Sequence, residues 1–132
     1  AAENDDAEGL LAEVGLDPRA WHHKIGTYSK GMAQRAAMAF ALAGNPSWLI
    51  LDEPMSGLDA VGRKRMLEVL RKRHASGCGI LMCSHIVPDL VRICDRILIL
   101  AQGRVVSDIS VEEHTMEQAE RIEAMLGEDS HA

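Results

Sequence analysis

The chain alternates between stretches with helical apolar spacing and short, uninterrupted apolar runs. Residues 7–15 carry Leu10, Leu11 and Val14 and stop at Gly15, which predicts a short helix. Residues 19–30 are polar and mixed and read as loop. MAQRAAMAFALA at 32–43 holds no breaker and predicts a firm helix, closed by Gly44-Asn45-Pro46. WLIL at 48–51 is wholly apolar and ends on Asp52-Glu53-Pro54; such a run suits a strand buried on both faces, as in a parallel sheet. A helix over 60–75, with Val61, Leu67 and Leu70 among its apolar positions, stops at Ser76-Gly77. GILMC at 79–83 predicts a second buried strand, ending at Ser84-His85. A short helix is expected around 89–94, curtailed by Pro88. ILIL at 97–100 and RVV at 104–106, split by Gln102-Gly103, predict a hairpin. A last helix spans 111–126, with Met116, Ala119, Ile122 and Leu126 on one stripe. Helices alternating with apolar strands predict an α/β fold built on a parallel sheet.

Composition narrows this picture. With 132 residues, 47% of them hydrophobic, the chain can bury one domain core. Only 3% are aromatic, so that core must be aliphatic. The net charge of −6 is uneven: residues 1–13 hold five acids and no base, and residues 107–132 hold eight acids and one base. A mildly basic middle between two acidic ends argues against nucleic acid as a partner. Arg63-Lys64-Arg65 and Arg71-Lys72-Arg73 read as a solvated helix face. Cys78, Cys83 and Cys94 form no CxxC pair, which fits reduced thiols in a cytosolic protein. His22 and His23 are adjacent and cannot share a helix face as metal ligands. The opening AAENDDAEG is no signal peptide, and no apolar run reaches the roughly 18 residues that cross a bilayer. A membrane role would have to come through a partner.

Two polar clusters come directly after the apolar strands: Asp52-Glu53 after WLIL, and Ser84-His85 after GILMC. In open α/β sheets, ligands bind at the carboxyl ends of strands, so the order predicts two acids and a histidine along one crevice. Paired acids there suit a magnesium-nucleotide site, one carboxylate holding metal and its neighbour activating water. The alternative is that the acids merely cap the next segment.

More specific is the sequence of motifs. Leu49-Ile50-Leu51-Asp52-Glu53-Pro54 resembles the Walker B segment of ABC ATPases, and Ser56-Gly57-Leu58-Asp59 resembles the D-loop after it. Tyr28-Ser29-Lys30-Gly31-Met32, followed by Gln34-Arg35, is similar to the ABC signature in the form common among exporter-type ATPases. Ser84-His85 is similar to the switch-histidine segment, and Cys94-Asp95-Arg96 with Ile97–Leu100 and Gly103 is similar to the family's next segment. The resemblance runs in register over roughly residues 9–106. It implies a P-loop NTPase of RecA-like architecture. It further implies ATP hydrolysis coupled to transport, leaning toward export, with ATP and Mg2+ as cofactors. Asp52 would hold magnesium through water, Glu53 would polarise the attacking water, and His85 would contact the γ-phosphate. Ser29 and Gly31 would clamp the nucleotide of the opposite subunit, and Asp59 would lie in a loop crossing the dimer seam. The implied partners are a second ATP-binding domain, head to tail, and membrane-spanning subunits, with the chain on the cytoplasmic side. Lys30, Met32, Met55 and Ala60 depart from the commoner family residues without removing a catalytic group.

No GxxxxGK[ST] phosphate-binding loop occurs in the sequence. The expectation is therefore a truncated domain, with N-terminal strands and the phosphate loop encoded elsewhere, its sheet left with open edges and apolar faces. Its expected parts are residues 1–45 (helical, with the signature), 46–110 (catalytic core) and 111–132 (acidic helix). Two other readings compete. One is a non-catalytic piece that docks on a full-length ATPase. The other is half of an SMC-type chromosome ATPase, which would need heptad coiled coil before the signature; residues 1–27 carry none.

Overall fold

The computed structural model describes residues 2–129, leaving aside the side chains of residues 2–6, 128 and 129; Ala1 and the final residues 130–132 of the expected acidic segment lie outside it. The chain divides into two compact units, Ala1–Cys83 and Ser84–Ala132.

The first unit holds helix α1 (Ala2–Glu13), 3-10 turns at Pro18–Ala20 and Ile25–Thr27, α2 (Lys30–Leu42), strand β1 (Trp48–Asp52), α3 (Ala60–Ala75) and β2 (Gly79–Cys83). Its core is aliphatic, as the composition requires: Leu10, Val14 and Leu16, Met38 and Leu42 of α2, Leu49 and Leu51 of β1, and Met66, Leu67 and Leu70 of α3 are among the buried residues. The helices end where the sequence supplies caps. Asp59 accepts the Gly62 N–H at 2.8 Å, and Gly44 and Gly77 take positive φ after α2 and α3. Lys72, Arg73 and His74 crowd the last turn of α3, where positive charge complements the helix dipole. Arg73 also reaches Glu13 at 2.9 Å, tying α3 to the end of α1. The polar segment 19–30 is loop, but a braced one: Trp21 Nε1 donates to Leu16 O at 2.9 Å and the Tyr28 hydroxyl to Ala20 O at 2.6 Å.

β1 and β2 pair in parallel, from Trp48 opposite Gly79 to Asp52 opposite Cys83. The expectation of strands buried on both faces is corrected here. Leu49 and Leu51 are buried, but Trp48 is 66% exposed, Ile50 80% and Leu81 57%. These three share the opposite face of the ladder, which no described element covers. The open apolar face expected for an incomplete sheet is thus present. Trp48 lies over Gly79, where a Cβ would come within 2.6 Å of its ring.

The second unit contains α4 (Val87–Ile93), β3 (Arg96–Ala101), β4 (Arg104–Ser110) and α5 (Met116–Asp129). The hairpin β3–β4 is antiparallel as expected, but β4 runs on to Ser110, and α5 starts at Met116 rather than 111. Arg96 pairs with Asp108 across the hairpin, and Thr115 Oγ1 accepts the Gln118 N–H at 3.3 Å as a helix cap. Pro88 does not shorten α4. It sits in the first turn, where a missing N–H costs nothing, and α4 begins at Val87. Val87, Val91, Ile97, Ile99, Val111, Ala119 and Ile122 form this unit's core. Of the stripe expected on α5, Ala119 and Ile122 are buried while Met116 and Leu126 are exposed.

Leu70 is fully buried and Ile50 largely exposed. Leu70→Ala is expected to cost about 3 kcal/mol in urea denaturation, and Ile50→Ala under about 0.5 kcal/mol. Equal losses would contradict this assignment of the covered face.

Candidate active site

The first unit builds its polar features around the end of β1 and the start of α2. Glu53 comes directly after the last residue of β1 and has φ of 45°, a left-handed conformation that strains any non-glycine residue. Hydrogen bonds hold it there. Its N–H donates to Cys83 O at 2.8 Å, extending the β1–β2 ladder by one rung. Its carbonyl accepts from Gln34 Nε2 at 2.9 Å and from the Ser56 N–H at 3.2 Å. Asp52, one residue earlier, is exposed at the strand end opposite Cys83.

Ser29 precedes α2 in extended backbone, and its Oγ accepts the Met32 N–H at 3.2 Å. The tip of α2 therefore combines a hydroxyl with first-turn N–H groups, a setting that favours an anion. This tip lies against the loop after Glu53 through close glycine contacts. A Cβ on Gly31 would come within 3.0 Å of Gly57 O, and one on Gly57, whose φ is +80°, within 2.8 Å of Lys30 Cγ. A Cβ on Gly62 would lie 2.7 Å from Arg35 Nη2. Ser29, Lys30, Gly31, Arg35, Gly57 and Asp59 are among the residues lining a cavity of about 400 Å³ at this seam.

The structure thus brings Ser29, Gly31 and Asp59 to one cavity and sets Asp52 and Glu53 at the strand end of the same unit. Asp59 is already engaged as the cap of α3. His85 opens the second unit. It is exposed, next to Ser84, whose Oγ accepts the Ile86 N–H at 3.1 Å. Sequence pattern marks Gln34 and Arg35 only as parts of a motif and does not single out Gly62. A glycine in the first turn of an otherwise unbroken helix is the available signal of a close approach.

Asp52 offers carboxylate oxygens of the kind magnesium prefers, though not a full set. Among the described residues no three His, Cys, Asp or Glu side chains gather as a metal site. Magnesium bound by one carboxylate, with water and nucleotide phosphates completing its shell, fits that donor set.

Comparison with known proteins bears on the family and the fold. A family model described as ABC transporter matches residues 2–56. The uncharacterized ABC transporter ATP-binding protein all4389 of Nostoc sp. is 48% identical over 105 residues, 79% of this chain and 31% of that protein. The aliphatic sulfonates import ATP-binding protein SsuB of Mycobacterium avium is 42% identical over 111 residues, 80% of this chain and 42% of that protein. The ATP-binding cassette MJ0796, solved as a dimer in a post-hydrolysis state bound to ADP and Pi, superposes with a TM-score of 0.78 at 28% identity, over 83% of this chain and 47% of that one. The expected α/β class, that of P-loop ATP-binding cassettes, is therefore the fold of the chain. The chain spans well under two thirds of the length of these proteins. One of them is an import protein, so the form of the signature does not carry an export direction. No described helix is long and apolar enough to cross a membrane.

The thiols offer a probe beside the acids. Cys83 is exposed opposite Asp52, and Cys78 is buried. Cys94 is pushed up to about 11 by burial, with Asp95 adding to the effect. Iodoacetamide at pH 8 is expected to alkylate Cys83 at least about tenfold faster than Cys94 or Cys78, read by mass spectrometry. Because the folded-state value is raised above the ordinary 9.0, the stability this thiol contributes is whole below about pH 9 and is lost as pH rises toward 11. Equal labelling of Cys83 and Cys94 would contradict the assigned environments.

Proposed function

The chain belongs, over the residues it shares with these relatives, to the ABC transporter family of ATP-binding domains, and from that premise we propose that it is part of a subunit that hydrolyses ATP to drive transport across a membrane. The observation that carries the reading is Glu53, pinned in a strained conformation at the tip of a parallel strand, directly after an exposed Asp52. Strain of this kind persists where the surroundings hold it, and it gathers at functional sites.

In this reading Glu53 accepts a proton from the attacking water and orients it toward the γ-phosphate. Asp52 holds magnesium through water. His85 contacts the γ-phosphate from its place after β2. Ser29 and Gly31 present the tip of α2 to the nucleotide of an opposite, head-to-tail domain, and Asp59 lies in the loop that crosses between them. The dimeric state of the solved relative supports that last assignment. Bound magnesium would supply charge neutralisation on the phosphates; the protein's part is positioning and electrostatic stabilisation. The proposed partners are a second ATP-binding domain and membrane-spanning subunits, with the chain at the cytoplasmic surface and no nucleic acid involved. The functional parts are 1–45 with the signature, 46–110 with the catalytic acids, and 111–132 as an acidic helix. No direction of transport is proposed.

Two results are expected. In the full-length protein, Glu53→Gln lowers ATP turnover at least about 100-fold and traps an ATP-bound dimer visible by size-exclusion chromatography. Near-normal turnover in that variant would remove Glu53 from the base role. The 132-residue chain by itself, lacking a GxxxxGK[ST] loop, shows no tight ATP binding by calorimetry and no ATPase activity. Stoichiometric hydrolysis that Glu53→Gln abolishes would refute this.

A further inference from the structure

We propose that Gln34 is a positioning residue that clasps the Glu53 backbone and makes α2 and the acid-bearing loop move as one piece. This inference rests on the reading of Glu53 as the base.

Gln34 lies in α2, three residues after Gly31, and residues at that spacing share a helix face. That face grips both ends of the loop after β1. At the near end, Gln34 Nε2 donates to Glu53 O at 2.9 Å. At the far end, Gly31 lies so close to Gly57 O that a Cβ would come within 3.0 Å. Arg35, one position on, sits over Gly62 at the start of α3. The loop is thus held from one side by a single helix turn, and Ser29 caps that same turn.

Glu53 is the position in the loop that most needs holding. Its φ of 45° is a conformation that strains a non-glycine residue. The net contribution of one hydrogen bond is comparable with that strain. Loss of the Gln34 donor leaves the Glu53 carbonyl with the longer Ser56 N–H contact, at 3.2 Å, and so loosens the peptide that fixes the Glu53 backbone. Such loosening re-aims the carboxylate without touching it. It also uncouples the tip of α2, which would meet one nucleotide, from the acid that would act on another. Displacement of a reacting group by about an ångström is enough to lower a rate by one to two orders of magnitude.

The test is steady-state ATPase kinetics on the full-length protein, with Gln34→Glu, Gln34→Met and Glu53→Gln compared with wild type. Both Gln34 variants keep the side chain's length and helix propensity but remove the donor. The expected result is a kcat reduced about tenfold, a KM for MgATP within about twofold of wild type, and a thermal midpoint within a few degrees. Unchanged kcat in folded Gln34 variants, with Glu53→Gln inactive, overturns the clasp and leaves the base role standing. Near-normal turnover in Glu53→Gln overturns the base role and this inference with it. Should both Gln34 variants unfold, hydrogen exchange of the Gln34 side-chain amide in the native protein decides. Protection of about tenfold over a free amide supports the clasp, and exchange at the free rate overturns it.

Discussion

The parallel ladder between β1 and β2 is the constraint on which the candidate site depends. It sets Asp52 opposite Cys83, and its last rung, the Glu53 N–H on Cys83 O, carries the chain one residue beyond the strand before it turns. Two carboxylates on consecutive residues repel each other in water. Here Asp52 closes the strand and Glu53 follows it in a left-handed backbone conformation. The ladder thus does more than build a sheet; it places two consecutive acids at one strand tip. The next turn, Pro54 to Asp59, is folded back onto α2 by close contacts that only glycine at 31 and 57 permits.

Helix α2 is the second half of the same device. Gly31 lets the N-terminal turn of this helix approach the loop after β1 closely, and Ser29 satisfies an N–H of that turn. The unit's buried residues include Met38 and Leu42 of this helix together with Leu49, Leu51 and Leu70. The opposite face of the ladder, with Trp48, Ile50 and Leu81, lies open among the described residues. Covering one such side chain stabilises a protein by roughly 1.5–3 kcal/mol. The unit's own described elements leave that stabilisation unused.

Much of this is legible in the sequence because it depends on local rules. Unbroken apolar runs mark β1 and β2, and glycine after α2 and α3 marks their ends. The motif order points to the α/β class, and it is also the source of the proposed site residues Ser29, Gly31, Asp52, Glu53, Asp59 and His85. The features that escape sequence pattern depend on partners distant in the chain. Ile50 and Leu51 are alike in hydrophobicity, and only the arrangement of neighbouring layers decides that one is exposed and the other buried. The start of α5 lies later than apolar spacing suggests because that spacing continues through Val111, which packs into the second unit's core from extended chain; the Thr115 cap is the truer signal. The positive φ of Glu53 has no local signature, since it is held by Gln34 and Cys83 from 19 and 30 residues away.

The central proposal is that Asp52, Glu53 and His85 serve one triphosphate while Ser29 serves another. The most direct measurement is a crystal structure of the full-length protein with magnesium and a non-hydrolysable ATP analogue. The predicted result has Asp52 reaching the magnesium through a bound water, the His85 imidazole meeting the γ-phosphate of that same nucleotide, and Ser29 meeting the one bound by the facing domain. An analogue bound with Asp52 and His85 in separate cavities would contradict it.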